Sequence, residues 1–272
     1  MKFQMRPSRV LRKLRAGEVV NVFKVNLYDV RVMQIASSFG FDCLWTCMEH
    51  VPNDHFVIET QILATKAYDV DLMCRVARGS YSDYIRPFEM DATGIMVPHV
   101  MSLADTKNIV RMTRFQPIGR RAVDGGNADG AFCNVPFIEY LEQSNRERFV
   151  VLQIEDPEPL DELEAIADVP GYDVLLFGPG DFSHGIGHPG QMDHPLILKT
   201  RERLAKAAIK YGKFAGTVGS PSSRQQLIDM GYTFLSVGAD VIGMSNYCRD
   251  LATACGIETV NELSGQYGGK RA

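Results

Sequence analysis

The chain has 272 residues, 45% of them hydrophobic, enough to bury a large core in one or two domains. Its net charge of -4 and pI near 5.9 argue against a nucleic-acid surface, and no apolar run is long enough to span a bilayer. Six cysteines (Cys43, Cys47, Cys74, Cys133, Cys248, Cys255) form no CxxC pair. They read as thiols of a reducing, cytoplasmic compartment rather than a disulfide frame or a zinc site.

In chain order, the basic N-terminus (Lys2, Arg6, Arg9, Arg12, Lys13, Arg15) lacks the apolar core of a signal peptide and predicts a solvated helix. Apolar, β-branched runs then predict strands at Val19–Val25, Asp42–Thr46, Asp71–Val76, Gly94–Val100, Phe149–Glu155, Val174–Gly178, Phe214–Val218 and Phe234–Val237. Helical patterns fall between them. One runs from Val30 to Phe39 and stops at Gly40; another is capped by Ser102 and runs to Arg114. Others open at Asn134 and Pro136, or cover Leu160–Ala167, Leu196–Tyr211 and Ser222–Met230. Eight strands alternating with helices predict an α/β protein, a single (β/α)8 TIM barrel over residues 1–272 with an N-terminal helical extension. A doubly wound open sheet is the alternative, but no GxGxxG follows the first strand. The Gly/Asp-rich stretch Gly119–Gly130 is expected on the rim after strand four, either as a lid or as a plain surface excursion.

Polar residues collect where the strands run out. Glu155 and Asp181 end two apolar runs one strand-plus-helix unit apart, so they can converge on one hard divalent cation such as Mg²⁺ or Mn²⁺. Arg75 ends a third run, either in a buried ion pair with Glu49 or Glu155 or as an electrophile for an enolate oxygen. His50 is a general-base candidate that needs an orienting partner, for which Glu89 or Asp91 is available; His99 is a second candidate base. Gly178 and Gly180 allow backbone amides to approach a ligand. Lys24 is the core-strand lysine that a Schiff-base route would need.

Glu49-His50 with Pro52, Arg75, Gly94 to Pro98, Gln153 to Glu155, and Gly178 to Asp181 together resemble the HpcH/HpaI aldolase family, in order, over roughly residues 14–251. The resemblance implies a class II aldolase that uses a divalent metal ion (Mg²⁺, Mn²⁺ or Co²⁺). It would make or break a 4-hydroxy-2-oxo acid, with pyruvate as nucleophile or product and an aldehyde as the other partner. It implies Glu155 and Asp181 as metal ligands, His50 as base with Glu89 as its paired acid, and Arg75 on the pyruvyl oxygen. The Gly180 and Asp181 amides would hold the pyruvate carboxylate. It also implies a homo-oligomer, a hexamer, with the last helix exchanged between subunits; without it, a C-terminal helix closing its own barrel is the plainer expectation. Three positions depart from the family pattern: Cys47 stands where Asp is usual, Glu89 replaces a shorter Asp, and Asp91 replaces Gly. Alternatives are a CoA-thioester lyase of citrate or malyl type, a phosphoenolpyruvate or carboxyphosphonate enzyme, and a non-catalytic metal-binding homologue.

Overall fold

A computed structural model describes residues 3–257. Eight parallel strands close into one barrel in sequential order. They are β1 (Val20–Lys24), β2 (Cys43–Cys47), β3 (Asp71–Arg75), β4 (Gly94–Val97), β5 (Phe149–Ile154), β6 (Val174–Phe177), β7 (Phe214–Val218) and β8 (Tyr232–Ala239). Each lies within the span expected from its apolar run or extends it by a few residues. Around them run α2 (Val30–Ser38), α3 (His55–Thr65), α4 (Tyr81–Glu89), α5 (Leu103–Thr113), α6 (Phe137–Glu147), α7 (Leu163–Asp168), α8 (Pro179–Gly185), α9 (Pro195–Lys210), α10 (Arg224–Asp229) and α11 (Asp240–Ala254), with α1 (Arg9–Arg15) ahead of the first strand. The sequence pattern singles out neither α3 nor α4. In α3 apolar residues lie all round, with Ile58 and Ile62 buried but Phe56 and Leu63 exposed; in α4 Pro87 sits one turn from the end and reads as a breaker.

Side chains alternate across each strand, and this sorts the core into two layers. Val20, Val22, Cys43, Trp45, Met73, Met96, Phe149, Val151, Val174, Leu176 and Phe234 fill the barrel. The alternate residues, such as Leu44, Leu72, Ile95, Val150, Leu152 and Leu175, pack outward under the helices. Gly94 is required by this filling, because a Cβ there would lie 2.1 Å from the Phe149 ring.

The basic N-terminal helix is not a solvated appendage. Val10, Leu11 and Leu14 of α1 are buried against the barrel interior. Its cations reach the acids that start the strands: Arg9 Nε lies 2.8 Å and Lys13 Nζ 3.0 Å from Asp42, and Arg12 pairs with Asp69. Ser8 Oγ donates to Asp71 at 2.6 Å. The helix therefore plugs the N-terminal end of the barrel, and its positive charge serves that docking.

The Gly119–Gly130 stretch follows α5 rather than β4. It packs on the outside, with Arg121 and Asp129 buried in a 3.1 Å ion pair and Tyr140 of α6 bonded to Asp129 at 2.9 Å. It is therefore not a lid over the strand ends of its own barrel. At the other end of the chain, Asp240 is the one residue of α11 that is buried, while Met244, Tyr247 and Leu251 are more than half exposed. This helix does not close its own barrel as the plainer expectation had it. No helix among the described residues is long and apolar enough to cross a membrane.

Candidate active site

On β1, β2, β3 and β5 the inward face changes from apolar to polar near the C-terminal end. On β5 the run Phe149, Val151, Gln153, Glu155 shares one face by period-two geometry; the first two fill the barrel and the last two meet the rim. On β3 the same alternation turns Met73 and Arg75 inward, on β2 Trp45 and Cys47, and on β1 Val22 and Lys24. The fold thus gathers these groups at the strand C-terminal ends, the end at which barrels of this type carry chemistry.

Arg75 is 3% exposed and anchors the cluster. Its Nε and Nη2 donate to Cys47 Sγ at 3.4 and 3.3 Å, and its guanidinium lies 5.0 Å from the Trp45 ring. Nε is also 2.9 Å from Glu49 Oε2. The Nε–H points at sulfur, so that oxygen gains a charge contact without an aligned hydrogen bond and has no hydrogen-bond partner. Burial alone would lower the Arg75 pKa, but the facing Cys47, Glu49 and Glu155 raise it, so the group stays a cation. Lys24 Nζ lies 5.1 Å from the same indole. Burial, then repulsion by Arg75, lowers its pKa despite the pull of Cys47, Glu49 and Asp240.

Glu155 is 1% exposed. Gln153 Nε2 donates to its Oε2, and the backbone N–H of His99 donates to its Oε1 at 3.0 Å. Burial pushes its pKa up to about 7, with Asp181 adding repulsion that the His99 N–H, His99 ring and Arg75 only partly offset. Gly178 makes room for this carboxylate: a Cβ there would sit 2.8 Å from Glu155 Oε2. The His99 ring bonds Asp156 Oδ2 through Nδ1 at 2.8 Å, while Nε2 lies 3.5 Å from Glu49 Oε1 and 3.8 Å from Glu155 Oε1. Burial works against protonation of this ring, but the Asp156 bond and the Glu155, Asp156 and Glu49 charges prevail and raise its pKa.

One ligating atom each from Glu49, His99 and Glu155 lies within 4.8 Å of the others. The donor set suits a divalent cation. It brings two carboxylates close together and leaves Glu49 Oε2 and the buried Gln153 Oε1 without hydrogen-bond partners, and burial, with the Asp181 charge, holds the Glu155 pKa high.

The other sequence candidates fall as follows. Asp181 is exposed in the first turn of α8 and acts on Glu155 through its charge. Gly180 precedes it in the same turn, where helix geometry leaves N–H groups without intrahelical acceptors. His50 stands on the rim with its side chain 55% exposed, Nε2 3.6 Å from Glu49 Oε2, and its backbone N–H donating to Cys47 Sγ at 3.4 Å. Glu89 closes α4, the end that leads into the start of β4, opposite the rim that carries His50. Burial raises its pKa, and the charges acting on it are Arg121, Asp129, Asp124 and Arg86. Sequence reasoning treated Glu49 as an ion-pair partner and gave Asp156 no role. A signal for Glu49 was present in the two-residue step Trp45, Cys47, Glu49, which keeps one face; Asp156 lies past the end of β5, where alternation no longer predicts direction.

The family model described as HpcH/HpaI aldolase/citrate lyase matches residues 22–246. The hydroxypyruvate/pyruvate aldolase of Pseudomonas aeruginosa is 30% identical over 246 residues, 90% of this chain and 91% of that one. The pyruvate aldolase of Rhizobium etli is 32% identical, covering 89% of this chain and 94% of its own. Among solved structures, an HpcH/HpaI aldolase from Desulfitobacterium hafniense superposes with a TM-score of 0.85 at 26% identity, covering 92% and 98% of the two chains. The chain belongs to the HpcH/HpaI aldolase/citrate lyase family and is a carbon–carbon lyase of the aldolase kind.

Proposed function

We propose that the protein is a class II aldolase that cleaves or forms 4-hydroxy-2-oxo acids, with pyruvate as product or nucleophile. The observation that carries this reading is the meeting of Arg75, Glu49, His99 and Glu155 on one rim, with Asp181 near enough to perturb Glu155. Glu155 and Asp181 would hold a divalent cation, Mg²⁺, Mn²⁺ or Co²⁺. Such an ion supplies Lewis-acid polarisation of a 2-oxo group.

The chain's own groups do the rest. The Gly180 and Asp181 N–H groups receive the substrate carboxylate, and Arg75 keeps a fixed positive charge where the enolate oxygen develops. In the cleavage direction His50 removes the proton of the 4-hydroxyl; the C3–C4 bond then breaks, its electron pair forming the enolate as the aldehyde leaves. Protonation at C3 completes pyruvate. Glu89 can orient His50 only as Glu89 of a partner subunit, because in its own chain it stands at the opposite end of the barrel. The exposed apolar face of α11 supports a homo-oligomer, a hexamer by family resemblance, in which that helix packs on a neighbour. The free thiols, three of them exposed, are consistent with a reducing cytoplasm.

A second reading runs through Lys24, whose lowered pKa and place inside the barrel suit an imine-forming amine. Release of pyruvate from a panel of 4-hydroxy-2-oxo acids, with and without chelator, separates the two. Loss of activity on chelation supports the metal route, whereas activity without metal, together with a mass increase on borohydride treatment with pyruvate, supports Lys24. Turnover of acyl-CoA thioesters and not of hydroxy-oxo acids would reject both.

A further inference from the structure

We infer that His99 is a ligand of the metal, supplying an imidazole nitrogen, held in place by Asp156, to the site that Glu155 and Glu49 border. This rests on the metal-dependent reading above and extends it. His99 follows Pro98 at the end of β4 with φ at +48°, a left-handed conformation that costs a non-glycine residue roughly 1 kcal/mol. Its backbone N–H is thereby bonded to Glu155 Oε1 at 3.0 Å, and its ring is turned so that Nδ1 meets Asp156 at 2.8 Å. Nε2 is left facing Glu49 and Glu155 at 3.5 and 3.8 Å.

Two ligand atoms each about 2.1 Å from a common ion stand about 3.0–3.4 Å apart at tetrahedral to octahedral angles. Nε2 stands 3.5 and 3.8 Å from the two carboxylate oxygens, and the three atoms lie within 4.8 Å of one another, so they must draw together to share one ion. A carboxylate on the distal ring nitrogen is the usual support of a metal-bound histidine, since it fixes the ring and its tautomer. Beside Glu155, Gln153 is 4% exposed, grips that carboxylate with its amide N–H, and keeps Oε1 without a hydrogen bond. An imidazole among oxygens moves preference away from Mg²⁺, which favours oxygen, towards Mn²⁺ and especially Co²⁺.

The test uses the metal-free full-length protein titrated calorimetrically with Mg²⁺, Mn²⁺ and Co²⁺, beside His99→Asn and Asp156→Asn. Asparagine tolerates the left-handed backbone and keeps an oxygen donor. His99→Asn is expected to weaken Co²⁺ and Mn²⁺ by at least about tenfold and Mg²⁺ by less than about threefold, and Asp156→Asn to weaken Co²⁺ by about tenfold. Pulsed electron paramagnetic resonance of the Mn²⁺-loaded wild type is expected to show coupling to an imidazole ¹⁴N that the His99→Asn protein lacks. Metal bound with no ¹⁴N coupling and with unchanged affinities in His99→Asn would overturn the inference and leave the proposed function standing. So would a variant that loses turnover but binds every ion as before, which would make His99 a base. No binding of any ion by the wild type would overturn both.

Discussion

At the N-terminal end of the barrel Asp42, Asp71 and Asp91 are each held by two or more donors and face cations, only one Asp71 oxygen among them lacking a hydrogen bond, whereas at the C-terminal end Glu49 and Gln153 both keep buried oxygens without one. Asp42 receives Arg9, Lys13 and the Asn21 N–H; Asp71 receives Ser8 and the Val10 N–H, with one oxygen 3.9 Å from Arg6; Asp91 receives Arg148 at 2.5 Å and Lys66 at 2.8 Å. The lower end, plugged by α1, uses its charges as joints. The upper end crowds Glu49 and Glu155 together, sets Lys24 and Arg75 on one indole, and strains His99. The acids of the lower end are therefore matched by cations of the same chain, whereas Glu49 and Glu155 at the upper end crowd one another, and substitutions should separate along that line.

The largest effect should come from the lower end. Asp91→Ala leaves the Arg148 guanidinium, 1% exposed, without its carboxylate, and about 3–5 kcal/mol of unfolding free energy should be lost in urea titration. Asp91 also sits at φ +78°, so Asp91→Gly should lose about 1 kcal/mol less than the alanine variant. Equal losses would mean that the left-handed backbone there costs nothing.

Arg75→Ala should do the reverse. Turnover is expected to fall about 10²–10³-fold, the usual cost of removing one charge-stabilising donor, while stability changes less than in Asp91→Ala. A variant that unfolds but turns over normally when folded would make Arg75 a joint like Arg148.

The pH response should also tell the two ends apart. The Glu155 carboxyl titrates at about 7 in the fold against 4.5 for an ordinary glutamate. With the folded pKa raised, its contribution is fully present below 4.5 and is lost as the pH rises to 7, because the unfolded chain ionises first. Metal-free protein should therefore lose up to roughly 3 kcal/mol over that window relative to Glu155→Gln. Parallel pH profiles for the two proteins would deny that Glu155 is held without a compensating cation.

His50→Ala is expected to slow cleavage about 10²-fold while sparing hydrogen exchange at the pyruvate methyl more than Arg75→Ala does. The reason is that His50 serves the hydroxyl proton, whereas Arg75 serves an enolate common to both reactions. Equal loss of both reactions in both variants would undo that division.

The positions of the strands were legible because each is a short apolar run bounded by polar residues, and period-two alternation then aimed Arg75 and Glu155 at one rim. Less legible was anything decided outside the alternation. Asp156 lies past the end of β5, where alternation no longer sets direction, and the Gly/Asp-rich composition of Gly119–Gly130 suggested a rim loop although the predicted helix ending at Arg114 already put it on the far side of α5. The Asp91 substitution is explained by long-range partners, Arg148 and Lys66, at sequence separations that no local pattern reports. Glu89 pairs with His50 only by resemblance, and position along the chain carries no information about which end of the barrel a residue faces.

The most direct test of the account is exchange of the pyruvate methyl protons with deuterated solvent, followed by nuclear magnetic resonance without any aldehyde. It isolates the enolate step from the unknown aldehyde. Exchange should stop on chelation, return with Mn²⁺ or Co²⁺, and be lost in Arg75→Ala and Glu155→Gln. Exchange that survives exhaustive chelation, or persists at the wild-type rate in Glu155→Gln, would contradict it.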